Sequence, residues 1–117
     1  MVEYRREILS YEGALEKTLD KLNEATQKKI LKKLEYVTLI KIPAKTILKK
    51  LQNSDNIFEI KIKQGSKEYR ILGFFDDEDY GTPFVITNFF LKKGTKDYNR
   101  HIAIANKQKI KFYEENN

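Results

Sequence analysis

The stretch "IFEIKIKQGSKEYRI", residues 57–71, places basic side chains where they could bind an anion. Apolar and charged residues alternate on both sides of "QGSK", which predicts a β-hairpin with one apolar and one charged face. If the turn is symmetric, residues whose numbers sum to 131 face each other, so that Lys61 lies opposite Arg70. Like charges that are directly opposed on a sheet are mildly destabilising. We therefore interpret this pair as a candidate anion site.

The same hairpin also carries acidic residues, which leave a second interpretation open. The predicted register places Lys63 opposite Glu68 and Glu59 opposite Leu72. In this alternative the two glutamates neutralise the basic patch, and nothing binds there.

A second basic group follows the next predicted strand, in "FFLKKGTKDYNRH". Its polar members are Lys92, Lys93, Lys96, Tyr98, Arg100 and His101. In a meander of strands, this end could approach the charged face of the hairpin. Cleavage of an RNA phosphodiester needs little more: a base for the 2′-hydroxyl, an acid for the leaving oxygen, and cations that stabilise the phosphorane. This chemistry requires no metal, and the single histidine and scattered carboxylates lack metal-ligand spacing.

Two residues of this segment have a functional and a structural interpretation each. His101 is the only histidine, and its ordinary pKa near neutrality makes it a candidate general acid or base. A lone histidine can equally be incidental. Tyr98 could stack on a base or orient a phosphate, or it could pack the helix against the sheet.

Charge is unevenly distributed along the 117 residues, whose net charge is +6. Residues 41–70 contain eight basic and three acidic side chains, and residues 92–111 contain seven and one. Such fields steer polyanions towards one surface, although exposed lysines can also serve solubility alone. The chain lacks cysteine and any apolar run of membrane-spanning length, so we expect a cytoplasmic protein of one domain, residues 1–117.

Periodicity predicts an α+β fold in which an N-terminal helical hairpin and a C-terminal helix pack on an antiparallel sheet. Asn23 is the predicted N-cap of the second helix, and Ile30, Leu34 and Val37 form its buried stripe. In the last helix Ile102, Ala105 and Ile110 are candidate core contacts. The predicted strands are 3–9, 57–63, 68–76 and 83–91, and the predicted helices are 14–22, 24–40 and 98–114. The predicted loops are 41–56, with a possible helical turn at 45–51, and the acidic turn 76–79.

The order of short motifs resembles the RelE/HigB-type toxins of bacterial toxin–antitoxin systems, in particular the phage-derived HigB-like branch. The motifs are Leu51, Glu59-Ile60-Lys61, Tyr69-Arg70, Phe74-Phe75, Phe90-Leu91-Lys92-Lys93, and Ile102 with Ala105. The chain departs from the family pattern at three places. Lys61 replaces an arginine and loses its bidentate fork, Asp97-Tyr98 replaces Thr-Pro before the last helix, and His101 replaces a glutamate near the start of that helix.

This resemblance implies a RelE-like fold with a curved sheet and a metal-independent endoribonuclease that cleaves mRNA on the ribosome. It also implies inhibition by a cognate helix-turn-helix antitoxin and no cofactor. The residues that match the family's cleaving set are Lys61, Arg70, Lys93 and Tyr98, and the expected RNA-binding residues are Lys63, Lys92, Lys96, Arg100 and His101. The alternatives are a non-catalytic toxin that only binds RNA or titrates an antitoxin, and a DNA-binding regulator, for which no helix-turn-helix signal appears.

Overall fold

The computed structural model describes residues 5–76 and 80–116, which form a mixed α+β fold with five strands and three α-helices. The strands are β1 (Ile8–Ser10), β2 (Lys49–Lys50), β3 (Phe58–Gln64), β4 (Lys67–Phe75) and β5 (Phe84–Leu91), and the helices are α1 (Glu16–Leu19), α2 (Glu24–Leu39) and α3 (Thr95–Glu115). A 3₁₀ turn, Tyr11–Gly13, joins β1 to α1. In this part of the chain, every helix is too short or too polar to span a bilayer.

The five strands form one sheet in the order β1-β5-β4-β3-β2. The meander β3-β4-β5 is antiparallel, as predicted, but β1 pairs with β5 in parallel. The expectation of a wholly antiparallel sheet is therefore wrong at this edge. The predicted first strand, 3–9, is only partly tested, because residues 3 and 4 lie outside the described residues.

The β3–β4 hairpin has the predicted register, with Lys61 opposite Arg70, Lys63 opposite Glu68 and Glu59 opposite Leu72. The two-residue turn makes this register unique. Gly65 adopts a φ of 62° at the first central position, where a type II′ turn needs a residue without a Cβ. The turn thereby places Lys61, Arg70 and Glu59 on one face of the sheet.

Two helices cover opposite faces of this sheet. On one face the predicted stripe of α2 is buried against the inward residues of β3 and β4, in a cluster that includes Ile30, Leu34, Val37, Ile60 and Ile71. Asn23 caps α2 by accepting a hydrogen bond from the Thr26 amide at 2.8 Å, which confirms the predicted start. On the other face α3 buries its own stripe in a cluster that includes Leu72, Phe74, Val85, Ala105 and Phe112.

The helix predictions fail at two places. The first predicted helix is reduced to the single turn of α1, so the N-terminal helical hairpin is only partly formed. In α3 the buried positions are Ala105, Lys109 and Phe112, and Ile110 is 55% exposed because it lies off that stripe. The helix also begins at Thr95, before the predicted residue 98.

The connection between α2 and β3 contains a short strand that was not predicted from the sequence. Lys49 and Lys50 pair with Glu59 and Phe58, so the predicted helical turn at 45–51 gives way to β2 in its second half. The amides of Ile47 and Leu48 both donate to the Ala44 carbonyl and fold the residues before β2 into a turn. This pairing places Lys49 across from Glu59, on the charged face of β3. Of the predicted acidic turn, residues 77–79 lie outside the described residues.

Candidate active site

A cleft of about 440 Å³ opens where β2, β3 and β4 meet the start of α3. It is lined by Lys45, Thr46, Ile47, Lys49, Glu59, Lys61, Arg70 and Tyr98. The structure thus brings together three of the four residues predicted to be catalytic. They come from the hairpin and the last helix, which the sequence analysis predicted to meet.

Arg70 lies buried beneath this cleft between two carboxylates. Its Nη1 donates to Oε2 of Glu59, and its Nη2 donates to Oε2 of Glu68, each at 2.7 Å. The hydrogen bond from Arg70 lowers the pKa of Glu68 below its usual value. Among the buried side-chain atoms that the structure describes, Nε of Arg70 is the one without a hydrogen-bond partner. The structure thus pairs Arg70 with both glutamates of the hairpin, and the positive charge opposite Lys61 is offset.

Glu59 connects Arg70 to Tyr98. The Tyr98 hydroxyl donates to the same Oε2 that accepts from Arg70, and the Arg70 guanidinium lies 5.3 Å from the Tyr98 ring centroid. Burial, with the hydrogen bond to Glu59, raises the pKa of Tyr98 well above its usual value, so the hydroxyl stays protonated at neutral pH. Both of these hydrogen bonds engage Oε2, and Glu59 lines the cleft. Its other oxygen, Oε1, is therefore engaged by neither Arg70 nor Tyr98.

Three lysines supply positive charge at the cleft, and one of them, Lys61, also approaches Glu68, which pairs with Arg70. The side chain of Lys61 is 52% exposed, with Nζ 3.9 Å from Oε1 of Glu68. Lys45 and Lys49 are exposed, and Lys49 lies across the ladder from Glu59. The sequence did not lead us to Lys45 or Lys49, and it indicated Glu59 only as a neutralising charge and as part of a family motif. The signal that could have found the lysines is the excess of positive charge in residues 41–70.

Some residues of the basic segment after β5 lie near the cleft, and others lie outside its lining. Lys92 approaches it from the side, with Nζ 3.9 Å from Oε2 of Glu68 and 5.6 Å from the Tyr98 ring centroid. Lys93 and Lys96 are exposed and do not line the cleft. Arg100 forms an ion pair with Asp97 at 2.5 Å on the surface of α3. Only Lys92 and Tyr98 of the segment therefore lie close to the buried pairs.

His101 has a packing role in the structure. Its ring stacks on Phe90 with centroids 3.7 Å apart and an interplanar angle of 4°, and its carbonyl accepts a hydrogen bond from Asn88 at 2.9 Å. Burial lowers the pKa of His101, although Asp97, 3.6 Å from Nε2, opposes the shift. The ring is neutral at neutral pH and does not line the cleft.

Further lysines protect the open edge of β3 beyond the two residues paired with β2. Lys33 donates from α2 to the Lys61 carbonyl at 2.7 Å, and Lys29 donates to the Lys63 carbonyl. Burial and the charges of Lys29 and Lys61 lower the pKa of Lys33. Lys63 is exposed and does not line the cleft, but it follows Lys61 on the same strand and the same face.

The fold and the site together define a small α+β protein with a lysine-rimmed cleft above buried glutamate–arginine pairs. Within residues 5–76 and 80–116, no three His, Cys, Asp or Glu side chains are grouped so that they could hold a metal ion. The model of the family described as "Phage derived protein Gp49-like (DUF891)" matches residues 17–109, and the chain belongs to that family. This is a toxin-like family of toxin–antitoxin systems. No curated protein and no solved structure matches the chain significantly.

Proposed function

We propose that this protein is the toxin of a toxin–antitoxin pair and a RelE/HigB-type endoribonuclease that cleaves mRNA on the ribosome. The observation that supports it is the meeting of the Glu59 carboxylate, Lys61 and Tyr98 in one cleft. Family membership supports the toxin role and an antitoxin partner, which we expect to be a helix-turn-helix protein. The whole chain, 1–117, acts as one domain in the cytoplasm in this proposal.

The cleft contains groups for each step of RNA transesterification. Oε1 of Glu59 accepts the proton of the ribose 2′-hydroxyl, which attacks the adjacent phosphorus in line. Lys61, aided by Lys45 and Lys49, stabilises the charge that develops on the phosphorane oxygens. The ammonium of Lys61 then protonates the departing 5′-oxygen, leaving a 2′,3′-cyclic phosphate and a 5′-hydroxyl. These steps require no metal ion or cofactor.

Arg70 and Tyr98 act on Glu59 in this mechanism. Both donate to Oε2, which fixes the carboxylate and leaves Oε1 for the substrate. Arg70 is therefore a positioning residue, in place of the direct phosphate ligand predicted from the sequence. Lys93, which the resemblance places in the cleaving set, is instead a peripheral RNA contact in this proposal, as are Lys63, Lys92, Lys96 and Arg100.

Lys61→Met is the sharpest test, because it removes a half-exposed ammonium and leaves the buried Arg70 pairs intact. We expect the rate of mRNA cleavage on purified bacterial ribosomes to fall about 100-fold or more, as when one transition-state donor is lost. Growth arrest on induction without antitoxin should disappear. The matched control is Lys107→Met, which removes an exposed lysine of α3 outside the cleft. Equal cleavage by Lys61→Met and wild type would refute the assignment.

A second candidate is a non-catalytic toxin that binds RNA or titrates an antitoxin. The engagement of the Arg70 Nη atoms by Glu59 and Glu68 favours it, since no guanidinium fork remains for a phosphate. The same assay separates the two. Intact mRNA in a complex that still binds ribosomes, with binding that weakens steeply in salt, would support the non-catalytic function.

A further inference from the structure

A second cavity, of about 540 Å³, adjoins the proposed catalytic cleft across the edge strand β2, on the face of the sheet that carries Phe58. The two share Lys45, Thr46 and Lys49, so one segment of chain forms a common wall. The volume falls within the roughly 300–1,000 Å³ of small-molecule sites. A single ligand that crosses this wall would occupy both spaces.

The lining of the second cavity differs in kind from that of the first. Where the cleft presents Glu59 and Arg70, this cavity presents Leu48, Phe58 and Tyr80, with Lys50 at its edge. Phe58 is buried and Tyr80 is half-buried, and their ring centroids are 5.8 Å apart. An aromatic lining with a cationic rim suits a flat, electron-rich ring that is attached to an anion.

The aromatic lining is held in place before any ligand arrives. Tyr80 has a φ of 56°, and its carbonyl accepts a hydrogen bond from Arg6 at 2.8 Å. Its ring also packs on Phe75, with centroids 5.1 Å apart. Phe58 is fixed by β3 and pairs across the ladder with Lys50. Binding a planar group therefore costs little ordering of the protein.

We propose that this second cavity binds the base of a nucleotide adjacent to the scissile phosphate. The inference rests on the proposed function, because it takes the phosphate to lie in the cleft with Lys61. Lys45 and Lys49, which line both spaces, would then lie between the phosphate and the base. Phe58 and Tyr80 supply the surface on which the base stacks. The cavity would make cleavage depend on a base, beyond the charge of the RNA backbone.

The test measures toxin binding to bacterial ribosomes programmed with mRNA whose decoding codon carries 2′-O-methyl groups, which block the nucleophile. One abasic nucleotide is placed at each of the three codon positions in turn. For the wild type we expect one position at which loss of the base weakens binding about tenfold or more, as stacking on an aromatic side chain predicts. Tyr80→Ala should bind the intact mRNA as weakly as the wild type binds that abasic mRNA. Tyr80→Phe should retain the base dependence.

Lys50→Trp offers a second route if Tyr80→Ala fails to fold. The indole would lie across the ladder from Phe58 and fill the cavity, so the base dependence should vanish while the fold is kept. Lys107→Trp, on the exposed surface of α3, is the matched control and should behave as wild type.

The outcomes separate this inference from the proposed function. Cleavage of ordinary mRNA that is sensitive to Lys61→Met, with an abasic effect that Tyr80→Ala leaves unchanged, would overturn the base site alone. Absence of both cleavage and binding would overturn both. An antitoxin that is displaced by Lys50→Trp, with no base dependence in the wild type, would assign the cavity to a protein side chain and refute the inference.

Discussion

Two arginines are buried in this protein, and their surroundings differ. Arg6 is 1% exposed and donates to backbone carbonyls of Val37, Ile40, Lys41, Tyr80 and Gly81 at 2.5–3.1 Å. Arg70 is 5% exposed and donates to two carboxylates. The first arginine ties the end of α2 to the segment before β5, and the second lies beneath the lysine-rimmed cleft.

The two arginines therefore differ in the kind of partner they use: Arg6 binds the backbone, and Arg70 binds side chains beside the proposed site. Every residue has a backbone carbonyl oxygen. A substitution at one of the residues that bind Arg6 therefore leaves the acceptor of that hydrogen bond in place. The partners of Arg70 are side chains, one of which has a second oxygen that neither Arg70 nor Tyr98 engages. A charge cluster made of side chains can be adjusted by substitution and can take part in proton transfer.

The largest effect is expected from Arg6→Ala. It leaves up to five carbonyl oxygens without their donor, of which that of Val37 is in a buried hydrogen bond and the others are in partly buried ones. A buried acceptor without its donor costs about 1–3 kcal/mol, and a partly buried one costs less. We expect the free energy of unfolding to fall by about 4 kcal/mol or more, a large part of the total for a small domain. Urea unfolding followed by circular dichroism measures it. Arg5→Ala, an exposed neighbour of the same type, is the control and should change stability little.

A smaller effect is expected at Arg70, and it should be reversible. Arg70→Ala leaves the buried carboxylate of Glu59 unpaired, which should cost about 3 kcal/mol. Adding Glu59→Leu to an Arg70→Leu variant removes both charges and should restore much of the stability, while cleavage stays lost. No side-chain substitution can remove the carbonyl oxygens around Arg6 in the same way.

The control for this pair is Lys67→Ala, which removes an exposed positive charge from the same strand. A double variant no more stable than Arg70→Leu alone would contradict the comparison. It would mean that the charges at Arg70 support the fold in the same manner as those at Arg6.

The smallest effect is expected at Glu68, whose contribution to stability depends on pH. The folded-state pKa of Glu68 is lower than its unfolded value, chiefly because Arg70 donates to it. Its contribution to stability is therefore complete above the unfolded pKa of about 4.3 and is lost as the pH falls through the folded pKa. Relative to the wild type, Glu68→Gln should lose up to about 1 kcal/mol at pH 7 and less at pH 3, because this partly exposed pair is screened.

Urea unfolding at pH 7 and pH 3 measures this difference, with Glu35→Gln on the exposed surface of α2 as the control. A Glu68→Gln variant whose deficit is the same at both pH values would show that Arg70 does not stabilise the ionised carboxylate. Carbonyl oxygens do not titrate, so the five hydrogen bonds from Arg6 to backbone carbonyls contribute no such pH dependence.

The parts of the fold that the sequence predicts are those that local spacing determines. The register of β3 and β4 follows from a two-residue turn, and the stripe of α2 follows from helical periodicity. The parallel pairing of Ile8 with Phe84 joins residues far apart in sequence and has no local signal. Arg6 is likewise indistinguishable in the sequence from its exposed neighbour Arg5.

The candidate site shows the same division. Alternation along the hairpin places Glu59, Lys61 and Arg70 on one face, but it does not say which side chains pair. The pairing depends on α3, whose Tyr98 meets Glu59 from 39 positions away. Lys45 and Lys49 reach the cleft only because β2 adds to the edge of β3.

The lysines of α2 on the edge of β3 have a consequence for the protein at high concentration. A free strand edge invites another chain to extend the sheet, which is a common route to aggregation. Here two ammonium groups already occupy the carbonyls of Lys61 and Lys63. A second molecule would have to displace both charges before it could pair, so the protein is guarded against adding a second copy of itself along this edge.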